Sequence, residues 1–229
     1  MSTLYIVATP IGNLEDLSLR ALRILKEVDF IICEDTRVTS KLLARYEISK
    51  PLVSYFQHSR LQKIEEITAR LSGGQNAALV TDAGTPGISD PGGVLIKSID
   101  EKLGNEIKIV PLPGPCAAIA ALSISGFPTD KFLFLGFPPH KKGRQTYWKK
   151  VVESENTVVF YESCHRIIKS LTQLQDLLHT TNYQLQTKVV VARELTKMFE
   201  SVYRGTIEEV TEKVKKDPIK GEYVVIFSK

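Results

Sequence analysis

Thr81-Asp82-Ala83-Gly84-Thr85-Pro86-Gly87-Ile88-Ser89-Asp90-Pro91-Gly92-Gly93 lies between a short apolar run, Ala77–Val80, and a helical run that begins near Val94. Four glycines, two prolines and two aspartates in one loop are backbone-shaping chemistry. Glycine reaches φ > 0 and admits close approach to main chain, and proline fixes φ. A strand that ends this way builds a concave surface. In an open α/β sheet, ligands sit outside the carboxyl ends of strands, where this loop falls.

Working outward, apolar runs and helical runs alternate. Strands are predicted at Leu4–Ala8, Phe30–Cys33, Ala77–Thr81, Ile107–Pro111, Phe132–Leu135, Thr157–Tyr161, Lys188–Ala192, Ser201–Arg204 and Glu222–Phe227. They are short, rich in Val, Ile and Phe, and bounded by turn residues. Helices are predicted at Asp16–Glu27, Thr39–Tyr46, Leu61–Leu71, Pro91–Leu103, Gly143–Val152, His165–Leu178 and Ile207–Lys216. In the fourth, Asp90 reads as the cap and Pro91 as the first helical residue, with Leu95, Ile96, Ile99 and Leu103 on one face. Alternation of this kind predicts an α/β fold with largely parallel or mixed sheets. The turn-rich Pro111-Leu-Pro-Gly-Pro115 and the small residues after it mark a boundary, giving α/β domains at 1–115 and 116–229. The second is expected to be more antiparallel, with Lys188–Ala192 and Ser201–Arg204 as a hairpin-like pair.

A chain of 229 residues, 43% hydrophobic and 24% charged, buries a core without staples. Cys33, Cys116 and Cys164 are scattered and odd in number, which argues for a reducing compartment and a cytoplasmic protein. Leu4–Ala8 is too short for a signal segment, and no apolar run nears the ~20 residues that span a bilayer. The net charge of +4 permits an anionic partner without demanding one.

Several site classes are excluded. Gly87 and Gly92 have P-loop spacing, but Gly93-Val94 stands where Lys-Ser/Thr is required, and no G-x-G-x-x-G occurs. The ligand is therefore one held by main chain and shape, without a phosphate anchor. His58, His140, His165 and His179 have no metal-binding spacing, so no metal is expected. There is no G-x-S-x-G elbow.

Polar clusters close other strands. Thr9-Pro-Ile-Gly-Asn13 follows the first and is a natural neighbour of the Asp82 loop. Cys33-Glu-Asp-Thr-Arg37, Tyr161-Glu-Ser-Cys-His-Arg166 and Ala192-Arg-Glu-Leu-Thr-Lys197 each set charges at a strand end, more than helix capping needs. The segment from His140 to Lys150 has five Lys/Arg, no acid and two aromatics. It reads either as a nucleic-acid contact or as a solvated helix with Trp148 packed inward. Arg37, His58 and Arg60 extend a basic rim if the fold brings them together.

Taken together, Ala8–Asn13, Glu34–Arg37, Thr81–Gly92, Leu112–Pro115, Lys141–Arg144, Phe160–Ser163 with His165 and Arg166, Ala192–Phe199 and Gly221–Val224 resemble, in order, the tetrapyrrole-methylase-like superfamily of methyltransferases, in its branch that acts on ribosomal RNA, with Cys164 a departure from its pattern. The resemblance implies S-adenosylmethionine in a cleft between two α/β domains, a homodimer, and 2′-O-methylation of a cytidine in the decoding region of small-subunit (16S) ribosomal RNA, free or in the 30S particle. It places cofactor contacts at Pro10, Asp82, Ala83, Gly84, Ile88, Ser89, Cys116 and Ala117, and at Tyr161, Ala192, Arg193 and Gly221. Candidate bases for the ribose hydroxyl are Glu34, Asp35 and Glu162, with His58 and His165 behind them. RNA contacts are assigned to Arg37, His58, Lys141, Lys142, Arg144 and Arg166. Two alternatives stand beside this: a tetrapyrrole methyltransferase of the same fold, and a non-catalytic RNA-binding module.

Overall fold

A computed structural model of the chain describes residues 1–56, 61–180 and 187–229. It divides into two compact units, Met1–Cys116 and Ala117–Lys229.

In the first unit, β1 (Ser2–Val7), α1 (Leu19–Glu27), β2 (Phe30–Cys33), α2 (Thr36–Arg45), β3 (Leu52–Ser54), α3 (Leu61–Ser72), β4 (Ala77–Leu79), α4 (Gly92–Leu103) and β5 (Ile107–Leu112) follow one another. The sheet order is β3-β2-β4-β1-β5, and every pairing is parallel. Strand residues alternate between two cores. Leu4, Ile6, Phe30, Ile32, Ala77 and Leu79 pack with Ile64, Ile67, Leu95 and Ile99 of α3 and α4. Val7, Ile31, Cys33, Ala78 and Val80 pack with Ala21, Ile24, Leu25 and Leu43 of α1 and α2. Burial on both faces is why these strands read as continuous apolar runs. Each large side chain buried, such as Phe30 or Leu4, adds about 1.5–3 kcal/mol.

The boundaries differ from the sequence reading where local polar chemistry intervenes. The helix expected over Asp16–Glu27 is broken, because Leu14–Asp16 forms a 3-10 turn and Ser18 caps α1 through Ala21 N–H. Helix α2 begins at Thr36, where Asp35 caps it through Arg37 N–H. The start of α4 is Gly92, not Pro91. Asp90 still serves this end, because its Oδ1 accepts the Gly92 N–H at 2.7 Å.

The second unit carries α5 (Ala117–Ser125), β6 (Phe132–Phe134), α6 (Arg144–Glu153), β7 (Thr157–Ser163), α7 (Ile167–His179), β8 (Lys188–Arg193), β9 (Ser201–Gly205), α8 (Ile207–Lys216) and β10 (Glu222–Ser228). Its sheet order is β6-β7-β10-β8-β9. Only β6 and β7 run parallel; the other pairs are antiparallel, including the β8–β9 pair expected from sequence. Val158, Phe160, Val189, Val191, Val225 and Phe227 pack one face against α6, α7 and α8, with Trp148, Leu171, Leu174 and Val210 among their partners. Helix α5 lies against β7 and β10.

Candidate functional site

Because the first sheet is parallel throughout, all its strands end at one edge, and their loops knit there. Thr9, two residues past β1, forms an isolated antiparallel bridge with Gly84. Thr9 Oγ1 donates to Thr81 O at 3.0 Å. The loop after β5 joins through Thr85 Oγ1, which donates to Pro115 O at 2.9 Å. Two glycines are dictated by this geometry. Gly84 has φ +89°, and a Cβ on Gly114 would lie 2.8 Å from Ala8 Cβ. Asp90 holds the far side of the loop, its carboxylate accepting Gly87 N–H at 2.8 and 2.9 Å. Ser89 is bent to φ +64°, a strained conformation of the kind found at ligand sites. Of the residues assigned to the cofactor in this unit, Pro10 and Gly84 are buried, Cys116 is half-buried, and Asp82, Ala83, Ile88 and Ser89 are exposed. The expected neighbourhood of the Thr9 and Asp82 loops is present.

The end of β2 adds carboxylates to the same edge. Asp82 Oδ1 accepts the Asp35 N–H at 3.1 Å, and Thr81 Oγ1 lies 3.4 Å from Glu34 Oε2. Burial raises the Glu34 carboxyl above its ordinary value, and the charges of Asp82 and Asp90 add to this against the Thr81 hydrogen bond. Burial also raises Asp82. Asp35 goes the other way. Its hydrogen bonds to the Arg37 side chain and backbone hold it down to about 2, with Arg37 Nη2 at 2.6 Å from Oδ2. Adjacent carboxylates thus differ in kind, one raised by burial and one held down by its Arg37 partner. Arg37 is exposed but tethered to Asp35.

In the second unit, three of the assigned residues, Glu162, Arg144 and Arg166, take part in one polar network. Glu162, a candidate base, is 1% exposed. It pairs with Arg166 Nη2 at 2.9 Å, and accepts Ser170 Oγ at 2.5 Å and Ser163 N–H at 2.8 Å. Its carboxyl group is enclosed by these partners. Arg144 and Arg166, assigned to RNA, face inward. Arg144 is 6% exposed. It donates to Gln173 Oε1 at 2.7 Å, Pro139 O at 2.9 Å and Ser170 Oγ at 2.7 Å. Arg166 Nη1 donates to Pro138 O at 2.9 Å. Burial leaves an ion unstable without such partners, and buried Arg144 has them in full; Arg166 is half-buried. Trp148 is buried and donates to Gln173 Oε1 at 3.0 Å, the inward-packed reading of the basic segment. Lys141 and Lys142 are exposed.

Sequence reasoning missed Ser170 and Gln173. Their signal was a polar stripe, Arg166, Ser170 and Gln173 at i, i+4 and i+7 beside the apolar face of α7. The remaining assignments are spread over strand ends. The Tyr161 hydroxyl accepts Ala118 N–H at 3.2 Å, in the turn of α5 that Ala117 opens. Ala192 and Arg193 are buried in β8, with Arg193 Nε donating to Lys220 O at 2.9 Å. Gly221 packs against the Glu194 carboxylate, which is ion-paired to Lys197 at 2.9 Å. His165 is exposed. His58 and Arg60 lie outside the described residues. Among the described residues, no group of three His, Cys, Asp or Glu could hold a metal ion, and no helix is long and apolar enough to cross a membrane.

The family profile of the tetrapyrrole (corrin/porphyrin) methylases matches residues 3–211. The chain belongs to that methyltransferase family. Within it, the chain is 43% identical, over all of its length and 79% of the relative's, to the "Ribosomal RNA small subunit methyltransferase I" of Synechocystis sp.. It is 44% identical to the protein of the same name from Hydrogenobaculum sp., over 99% of this chain and 95% of that one. Among solved structures, the methyltransferase CobJ superposes with a TM-score of 0.71 at 16% identity, covering 100% of this chain and 94% of that one. The cobalt precorrin-4 methyltransferase CbiF gives 0.69 at 15%, covering 99% and 94%. At such identities these two speak for the fold alone.

Proposed function

We propose that this chain methylates small-subunit ribosomal RNA, taking the methyl group from S-adenosylmethionine and placing it on the 2′-hydroxyl of a cytidine in the decoding region. The observation that carries the reading is identity of 43–44% along essentially the whole chain to proteins named for that RNA. The cobalt precorrin-4 methyltransferase CbiF and the methyltransferase CobJ share the fold at 15–16%, too distant to carry a substrate across.

S-adenosylmethionine supplies a methyl group bound to a positively charged sulfur, and it has no phosphate. The first-unit edge suits such a ligand. Glu34 and Asp82 are carboxylates held toward neutrality by burial and by neighbouring acids, and a cationic group relieves that repulsion. Asp82, Ala83, Gly84, Ile88 and Ser89 hold it with Pro10 and Cys116 beside them. Ala117, Tyr161, Ala192, Arg193 and Gly221 are proposed as the second unit's contacts. Glu34 is proposed as the proton acceptor for the ribose hydroxyl: it is half-buried at this edge beside Thr81, whereas the Asp35 carboxylate is taken up by Arg37. Asp35 fixes the start of α2 and the Arg37 guanidinium, which meets RNA phosphate with Lys141 and Lys142. The proposal extends to a cytoplasmic homodimer; exposed Met198 and Phe199 supply apolar surface for association.

The experiment is transfer of labelled methyl from S-adenosylmethionine to small ribosomal subunits, or to free 16S RNA, lacking the mark, with the modified nucleotide mapped. Label at a cytidine 2′-oxygen is the expected result. Label on a tetrapyrrole and none on RNA, or no binding of the donor by calorimetry, overturns the reading.

A further inference from the structure

Phe137 was singled out by nothing in the sequence, and its side chain is 50% exposed on the loop between β6 and α6. A single exposed aromatic needs no explanation by itself; what sets Phe137 apart is how its loop is held. This loop is fixed from beneath. The consecutive carbonyls of Pro138 and Pro139 each accept a guanidinium N–H at 2.9 Å, one from Arg166 and one from Arg144. Proline leaves φ no freedom, so each bond pins a stiff unit. Both cations are anchored in turn, through Glu162 and Ser170. On the other side, the Phe137 ring rests against Tyr161 with centroids 5.5 Å apart and planes inclined at 59°, and Tyr161 N–H donates to Gly136 O at 3.0 Å. A buried polar network therefore holds one aromatic face out to solvent. Exposed Lys141 and Lys142 follow directly, and the stretch from Gly136 to Lys150 contains no acid.

A rigid aromatic face with neighbouring ammonium groups and no negative charge matches an unpaired nucleotide: the ring stacks the base and the lysines meet its phosphates. We propose that Phe137 is a stacking platform for an unpaired base of the RNA substrate, and that Arg144 and Arg166 are positioning residues that act through Pro138 and Pro139. The inference rests on the RNA-methylating reading above. It gives the contacts of Arg144, in the basic stretch, and Arg166, just past β7, a purpose: they organise the surface that the lysines and Phe137 present.

The test uses the full chain, unmethylated small ribosomal subunits and labelled S-adenosylmethionine. Wild-type methylation of these subunits must be seen first; its absence defeats the RNA reading itself, not this inference alone. Given it, Phe137→Ala should raise KM for the subunits about 10-fold, within the range for loss of one base stack, with kcat at saturation and the donor's Kd unchanged. Phe137→Trp should restore KM, whereas Phe137→Leu should not. Arg166→Lys, which loses the planar fork, should raise the same KM without weakening the salt dependence that Lys141 and Lys142 produce. The proposal is overturned if Phe137→Ala leaves KM unchanged, if Phe137→Leu serves as well as Phe, if the donor's Kd rises as much as KM, or if the variant only alters the oligomeric state.

Discussion

Thr9 and Gly84 exchange two backbone hydrogen bonds, Thr9 N–H to Gly84 O at 2.9 Å and Gly84 N–H to Thr9 O at 3.1 Å. They lie just beyond two strands that run parallel, yet here the chain segments pass antiparallel. Both backbone groups of each residue are satisfied at the sheet edge, which leaves the exposed main chain of Asp82 and Ala83 as a fixed surface. The arrangement depends on φ +89° at Gly84.

Gly84→Ala tests that dependence. An added Cβ meets only ordinary contacts, with Ile11 Cγ2 at 3.5 Å and Pro115 O at 3.7 Å, so the penalty is conformational. A side chain in this region costs about 1–2 kcal/mol. Urea unfolding should show a loss of that size, and calorimetry should show weaker S-adenosylmethionine binding. Unchanged stability would mean that the loop relaxes and the bridge is dispensable.

Glu34→Gln should lower kcat by about 10²–10⁴-fold, the usual contribution of a positioned base, and leave RNA affinity intact. The base works unprotonated, so the wild-type rate should rise with pH through the raised Glu34 value, and this limb should vanish in the variant. Glu34 also carries a stability signature. Its folded pKa is above the unfolded one, so stability falls as pH rises from the unfolded value to the folded one. Glu34→Gln should therefore be the more stable protein above that window. A rate profile that keeps its acidic limb in the variant would assign the base elsewhere.

Asp35 should behave with the opposite sign. Its folded pKa is held at about 2, below the ordinary value of about 3.9. Its contribution is complete above about pH 4 and is lost as pH falls toward about 2. Acid unfolding of Asp35→Asn should lack that component, and the variant should keep most of its methylation rate. A rate loss as deep as that of Glu34→Gln would make Asp35 the base.

Glu162→Ala should destabilise the protein by about 3–5 kcal/mol, the cost of leaving one member of a buried pair alone, here Arg166. Glu162→Gln, which retains hydrogen bonding to Ser170, should lose less. Urea midpoints measure both. If Glu162→Gln instead kept full stability and lost its rate 100-fold, the carboxylate would belong to the chemistry.

The β/α alternation and the polar strand ends were legible because parallel strands buried on both faces leave uninterrupted apolar runs. Two elements were not. Leu52–Ser54 is an edge strand with two apolar residues, only Val53 of them buried, so no apolar run marks it. Ala117–Ser125 is apolar on nearly every side, so it shows no helical periodicity and reads as a linker of small residues. In the site, residue types were readable but directions were not. Glu162 and Arg166 advertise charge at a strand end and Arg144 in a basic segment, and only α7 packing beside β7 and α6 brings them into one network.

Strand β10 is made after β6, β7, β8 and β9, yet it lies between β7 and β8. A nascent chain therefore exposes the flanks of both strands until residues 222–228 emerge to fill the gap. The first unit waits for no such insertion from beyond Cys116, and β1, its earliest strand, is already available when β4 and β5 arrive to flank it. Synthesis then imposes an order: the half that carries the Asp82 loop is finished first, and the half that offers Phe137 is closed by its central strand afterwards.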